Sequence, residues 1–224
     1  MSQHLSRCLH PCPSEPVETP VRFYSQVIFT CLCDLLMDRP FVAKLRRQLL
    51  VQAQGHVLEI GFGTGLNLPC YPRHVRKVTT VNPSKGMNRL AQNRIKKSGI
   101  QIDQRILSGE RLPFEDNTFD CVVSTFTLCS IENVEQALAE AYRVLKPGGR
   151  FLFLEHGLSP EPVVQQWQRR LDWLEMRFAD GCHLDRDMRG LVTAQPFSSV
   201  QAEGFYMKGI PKTHGYWYRG RAMK

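Results

Sequence analysis

Val57-Leu58-Glu59-Ile60-Gly61-Phe62-Gly63-Thr64-Gly65-Leu66-Asn67 decides the reading of this chain. An apolar run of strand length enters three glycines at alternate positions, with the acid Glu59 just before them. Glycines so placed let the backbone turn tightly out of a strand and approach a ligand with no Cβ in the way. The nearest rival pattern is the dinucleotide fingerprint G-x-G-x-x-G. Its third glycine would stand at position 66, which is Leu66 here. The spacing therefore favours a nucleoside bearing an amino-acid tail over a pyrophosphate.

Working outward, 224 residues suffice for one domain with a full core and are too few for two. Residues 1–20 hold Pro11, Pro13, Pro16 and Pro20 and read as a disordered tail, leaving 21–224 as a single domain. Val27 to Met37 is the longest apolar stretch, well short of the roughly 20 residues that cross a bilayer. With no secretory leader either, the expected location is cytoplasmic. Eight scattered cysteines read as reduced packing thiols rather than a disulfide frame. His4, Cys8, His10 and Cys12 do not match the spacing of a closed zinc site, and no metal is expected. The net charge of +8 is spread over clusters at Arg39/Lys44/Arg46/Arg47, Arg73/Arg76/Lys77 and Arg94/Lys96/Lys97. Such dispersion reads as solvated helix faces, so a nucleic-acid partner is not expected, while peripheral membrane contact stays open.

Phe23, Val27, Cys31, Leu35 and then Phe41, Leu45, Leu49 recur at helical spacing, broken at Pro40, so two core helices precede the glycine strand. Strands are expected at 56–60, 77–81, 101–106, 119–125 and 150–155, with helices near 66–71, 86–98, 133–145 and 162–178 between and after them. This alternation means parallel strands with right-handed crossovers, an open sheet covered by helices on both faces. Segments 199–207 and 214–223 then read as an antiparallel pair. Val163, Val164, Trp167, Leu171, Leu174 and Phe178 share a face of the 162–178 helix. That face is expected to pack on the sheet, with roofing of an acceptor pocket as the other use.

Four further segments carry chemistry. They are Val81-Asn82-Pro83-Ser84 with Met87; Ser108-Gly109-Glu110-Arg111-Leu112-Pro113-Phe114 with Phe119-Asp120; Thr125-Phe126-Thr127-Leu128-Cys129-Ser130; and Lys146-Pro147-Gly148-Gly149 leading to Glu155-His156. Together with the glycine run they resemble the class I S-adenosylmethionine-dependent methyltransferases. The resemblance implies a Rossmann-like sheet of seven strands in the order 3-2-1-4-5-7-6 with the last strand antiparallel. It also implies that Gly61, Phe62, Gly63, Thr64, Gly65 and Asn67 pass under S-adenosylmethionine while Glu59 faces its charged methionine end. Asn82, Pro83, Ser84 and Met87 would meet the ribose, Ser108, Gly109 and Glu110 the adenine edge, and Thr127, Leu128 and Cys129 the methyl region. Asn82 and Ser108 stand where relatives carry acids. An amide offers one acceptor beside a donor, a weaker grip on two hydroxyls than a carboxylate.

Leu128-Cys129-Ser130, Glu155-His156, Asp180-Gly181-Cys182 and the closing Tyr216 to Ala222 narrow the resemblance to the methyltransferase-like 7 group of alkyl-thiol methyltransferases and their bacterial relatives. This implies methylation of a small lipophilic acceptor, a thiol first. Quinone-ring carbons and phospholipid amines are the alternatives within the class, and a non-catalytic S-adenosylmethionine-binding protein the alternative outside it. Animal members carry an N-terminal membrane segment with no counterpart in this sequence, so membrane attachment is not expected to carry over. Because a neutral thiol is only slightly ionised at neutral pH, a base helps, and His156 is the candidate catalytic residue. Cys129 is expected to line the site rather than attack, since transfer from a sulfonium needs no covalent enzyme intermediate.

Overall fold

The computed structural model describes residues 30–224. The proline-rich tail, the His4/Cys8/His10/Cys12 group, Phe23 and Val27 lie outside the described residues. Helices α1 (Thr30–Met37) and α2 (Pro40–Leu50) lead into β1 (His56–Ile60), β2 (Lys77–Val81), α3 (Lys85–Ser98), β3 (Gln101–Arg105) and β4 (Phe119–Thr125). Then come α4 (Val134–Val144), β5 (Leu145–His156), α5 (Pro162–Phe178), α6 (Met188–Thr193), β6 (Ser199–Tyr206), α7 (Lys212–Gly215) and β7 (Tyr216–Met223). The seven strands form one sheet in the order β3-β2-β1-β4-β5-β7-β6. β1 runs parallel to β2 and β4, and β7 is antiparallel to both β5 and β6.

Alternation along the strands sorts the core onto two faces. Leu58, Ile60, Val122, Phe151 and Phe153 pack on one side with Val134, Leu138, Ala141 and Val144 of α4. Val57, Val78, Cys121, Val123, Leu152 and Leu154 pack on the other with Val42, Leu49 and Leu50 of α2. Each such fully buried side chain stabilises the fold by about 1.5–3 kcal/mol, which is why the central strands read as continuous apolar runs. Order reverses at β1, flanked by β2 and β4, so a crevice opens beyond their carboxyl ends.

Several elements differ from the sequence reading. Residues 66–71 hold only a short 3-10 turn, Leu68–Cys70, in place of the expected helix, with Pro69 in its first turn. α1 turns its polar side inward: Thr30 and Asp34 are buried while Leu32, Leu35 and Leu36 are exposed. Asp34 decides that orientation, pairing with Arg94 at 2.8 Å and accepting from Thr64 Oγ1 at 2.5 Å. On α5 only Val164 and Gln168 are buried, and Val163 and Trp167 are 67% and 51% exposed, so the expected apolar face does not pack on the sheet. Gln168 takes the inward position instead, its amide bonded to the Ser159 N–H and to the Gly157 and Thr213 carbonyls. Cys33, Cys70, Cys121, Cys129 and Cys182 are free thiols, whereas Cys31 is disulfide-bonded and departs from the expectation of reduced thiols throughout.

Candidate active site

A cavity of about 330 Å³ occupies the crevice beyond β1, β2 and β4. Among its lining residues are Gly61, Phe62, Gly63 and Thr64 from the glycine loop, Asn82, Pro83, Ser84 and Met87 after β2, Ser108, Gly109 and Glu110 after β3, and Thr127 after β4. Glu59, Gly65, Asn67, Leu128, Cys129 and His156 are not among the residues that line it. Ser130 and Asp180, both placed near this opening by the sequence reading, line it as well, and so do Cys33, Asp34 and Arg46, which that reading did not single out for the role.

The glycine loop is shaped by left-handed backbone. Gly61 has φ +74°, and a Cβ there would fall 1.9 Å from Thr127 Oγ1. Gly63 has φ +56°, and its Cβ would meet nothing nearer than the Gly61 carbonyl oxygen at 3.9 Å and Met87 Sδ at 4.0 Å. Gly61 is therefore fixed by packing, whereas the space beside Gly63 is available to a ligand.

Behind the loop lies a buried polar network. Glu59 accepts from Asn67 Nδ2 at 2.9 Å and from Tyr71 Oη at 2.7 Å. Burial pushes its pKa up to about 7, against the two hydrogen bonds and the nearby Arg46. Arg46 reaches in from α2, is 5% exposed, and donates from Nη1 to Asn67 Oδ1 at 2.7 Å and to Thr125 Oγ1 at 2.9 Å. Its guanidinium lies over the Phe126 ring, 5.4 Å from the centroid. The Arg46 Nε–H is buried with no hydrogen-bond partner, a costly state in a folded protein that a ligand acceptor would relieve. Arg46 thus departs from the solvated basic face expected of it. One cation among the three of α2 carries no sequence mark of burial. Arg94 likewise turns inward to Asp34 and the Thr64 carbonyl.

At the loop after β3, Ser108 Oγ donates to Glu110 Oε2 at 2.9 Å, and the Asn133 N–H donates to Glu110 Oε1 at 2.7 Å. A carboxylate is thus present at that edge, two residues beyond the missing acid. Asn82 is 5% exposed and makes only long contacts, 3.4 Å to Asn88 Oδ1 and 3.4 Å from the Ser84 N–H. It retains capacity for a stronger partner.

The loop after β4 is anchored from β5. Glu155 is fully buried and accepts from Ser124 Oγ at 2.8 Å, from the Thr127 N–H at 2.9 Å and from the Leu128 N–H at 3.2 Å. Burial pushes its carboxyl up to about 8 despite these donors. That anchoring sets Cys129 beside His156 and Cys182. His156 Nε2 lies 2.8 Å from Cys182 Sγ, so the ring spends this nitrogen on sulfur and does not line the cavity. A hydrogen bond from Cys182 holds the Cys129 thiol well below its usual range against burial, with His156 adding to the effect, and the Cys182 thiol is correspondingly raised.

With this geometry in view, residues 58–153 match the family model described as a methyltransferase domain. The chain carries a methyltransferase domain over residues 58–153. The thiol S-methyltransferase TMT1B of Rattus norvegicus is 36% identical over 151 residues, covering 66% of this chain and 62% of the rat protein. The ubiquinone/menaquinone biosynthesis C-methyltransferase UbiE of Hydrogenovibrio crunogenus is 35% identical over 113 residues, 48% of this chain and 44% of that protein. Among solved structures, phosphoethanolamine N-methyltransferase 2 of Haemonchus contortus superposes with a TM-score of 0.71 at 16% identity. That match covers 94% of this chain and 61% of the nematode protein, and it shows the fold of the methyltransferase domain. The chain spans about 62% of the length of these TMT1 relatives. No helix among the described residues is long and apolar enough to cross a membrane.

Proposed function

We propose that this methyltransferase domain moves a methyl group from S-adenosylmethionine to a thiol on a small lipophilic molecule. The observation that carries the reading is the cavity itself: it is lined both by Gly63, beside which a Cβ would meet nothing nearer than 3.9 Å, and by Arg46, whose buried Nε–H has no partner. S-adenosylmethionine, when bound, supplies a methyl group activated by its positive sulfur. Arg46 would take the carboxylate of the methionine tail, Asn82 a ribose hydroxyl, and Ser108 with Glu110 the adenine edge. Gly63 keeps the loop clear, and the Glu155-anchored backbone of Thr127 and Leu128 fixes the wall nearest the reacting end. Holding acceptor and donor in line, with water excluded, supplies most of the rate enhancement such a transfer needs.

His156 is assigned here to positioning. Its Nε2 contact with Cys182 supports a role that acts through the two cysteines rather than by touching the acceptor. The thiol preference is supported by the names of the TMT1 relatives. A quinol-carbon acceptor is the second reading, favoured by the similarity to UbiE over 48% of the chain.

The test is a competition. Purified protein with S-adenosylmethionine is offered an alkyl thiol, a hydroquinone and an ethanolamine phospholipid together, and products are read by mass spectrometry. Methyl-mass gain on the thiol is expected. Gain on the quinol alone would replace the first reading by the second, and no gain on any acceptor despite cofactor binding would favour a non-catalytic binding protein.

A further inference from the structure

Three metal-ligating side chains from separate parts of the chain converge behind the cavity. Cys129 follows β4, His156 ends β5, and Cys182 follows α5. One ligand atom from each, two Sγ and an imidazole nitrogen, lies within 4.8 Å of the others. Local structure builds this convergence. Asp180 and Gly181 both take left-handed backbone, φ +53° and +82°, and turn the chain after α5 back toward the sheet. The His183 N–H then donates to the Cys129 carbonyl at 2.9 Å, and Arg186 Nη1 donates to the Leu128 carbonyl, tying the turn to the loop after β4. From the other side Glu155, next to His156, grips the same loop through Thr127 and Leu128.

We infer that Cys129, His156 and Cys182 form a binding site for zinc or a divalent ion of similar softness. Two sulfurs and one imidazole nitrogen are the donors such an ion selects over magnesium or calcium. Two thiolates cancel the charge of a divalent ion, so the loaded site is neutral, as suits positions where Cys129 is 2% and Cys182 9% exposed. Loading releases the thiol protons to solvent and opens the His156–Cys182 contact from 2.8 Å to about 3.5 Å, the separation set by ordinary zinc–sulfur and zinc–nitrogen bonds. Side-chain rotation covers that adjustment. The site runs against the metal-free expectation from sequence, where His4, Cys8, His10 and Cys12 stand close together along the chain and Cys129, His156 and Cys182 do not.

Three protein ligands leave a fourth position open, the pattern of zinc sites that handle substrates rather than closed structural ones. The cavity wall is one residue away, since Ser130 and Asp180, chain neighbours of Cys129 and of the Cys182 turn, both line it. An acceptor thiol could therefore bind the ion as thiolate, its proton passing to solvent as it displaces water. That last step rests on the thiol reading proposed above, whereas the metal site does not.

The experiment uses the full-length protein stripped by chelation and reloaded with cobalt(II), alongside zinc analysis of the protein as purified. About one zinc per chain is expected, with the intense visible bands and thiolate charge-transfer absorption of tetrahedral cobalt–thiolate coordination. Cys182→Ser and His156→Gln should each lose that spectrum while circular dichroism stays unchanged, which also separates this site from the cysteines near the N-terminus. Should either variant misfold, Cys129→Ser supplies the same readout. A spectrum unchanged by all folded variants, absence of metal binding, or a Cys129–Cys182 disulfide in the purified protein would overturn the site. Cobalt bands that shift when an alkyl thiol is added support its coordination. Bands that do not shift keep the metal site and remove the thiol from its fourth position, independently of whether methyl transfer occurs.

Discussion

Replacing Arg46 by Met probes the cofactor cavity with a shorter unbranched side chain that carries no charge. In the folded protein Arg46 makes two hydrogen bonds, to Asn67 Oδ1 at 2.7 Å and Thr125 Oγ1 at 2.9 Å, and keeps a buried Nε–H without a partner. Its loss leaves Asn67 Oδ1 short of a donor, costing about 1–3 kcal/mol. Removing a cation from a buried position offsets part of that cost, since burial already disfavours its charged form. A melting temperature lower by at most about 10 °C follows for a domain of this size. Binding should change more selectively. A charge-assisted hydrogen bond to a carboxylate contributes about 1.5–3 kcal/mol, which converts to a dissociation constant roughly 10 to 100 times weaker. Calorimetry with S-adenosylmethionine and with its decarboxylated analogue isolates the contact. The native protein should prefer the carboxylate-bearing ligand by about that factor, and Arg46→Met should bind the two alike. An equal preference in both proteins would show that Arg46 does not hold the carboxylate, whatever the variant's stability.

Gly63→Ala places a methyl group in the open direction of the cavity, so cofactor affinity should fall at least about tenfold while the strain of a left-handed alanine costs only about 1–2 kcal/mol of stability. Retained affinity in calorimetry would mean the loop is only a turn. Asn82→Asp should tighten cofactor binding by about tenfold if the carboxylate takes two ribose hydroxyls, and an unchanged dissociation constant would remove Asn82 from the ribose site. Glu59 gives a pH signature in the cofactor-free protein: its folded pKa of about 7 exceeds the ordinary 4.5, so the folded state holds the proton more tightly. Its contribution to stability is fully present below the unfolded value and is lost as pH rises through about 7, a loss of about 3 kcal/mol. Denaturant titrations from pH 4.5 to 7.5 should show this slope in the native protein and lose it in Glu59→Gln; parallel slopes would contradict the buried-carboxyl assignment.

The sheet was legible because parallel strands buried on both faces are mostly apolar, as Phe151 to Leu154 are and as Val57 to Ile60 are apart from Glu59. The glycine loop was legible because left-handed backbone beside a strand end requires glycine. What escaped depends on contacts between distant residues. Asp34 turns inward only because Arg94 and Thr64 meet it there, and the same residue at that helical position would read as solvated in any sequence. Arg46 is hidden in a basic run for the same reason. Gln168 displaced the apolar residues of α5 because its amide satisfies three backbone groups, a use that periodicity cannot register. Cys129, His156 and Cys182 lie 27 and 26 residues apart along the chain. Only the turn at Asp180-Gly181 brings the third to the other two.

Release of S-adenosylhomocysteine measured with a lipophilic alkyl thiol and with the matching alcohol tests thiol methylation most directly. The two acceptors share shape and hydrophobicity and differ in the attacking atom. Release in step with formation of the methyl thioether, and none above background with the alcohol, is the predicted result. Equal release with both, or none with a series of thiols under conditions where S-adenosylmethionine binds, would contradict it.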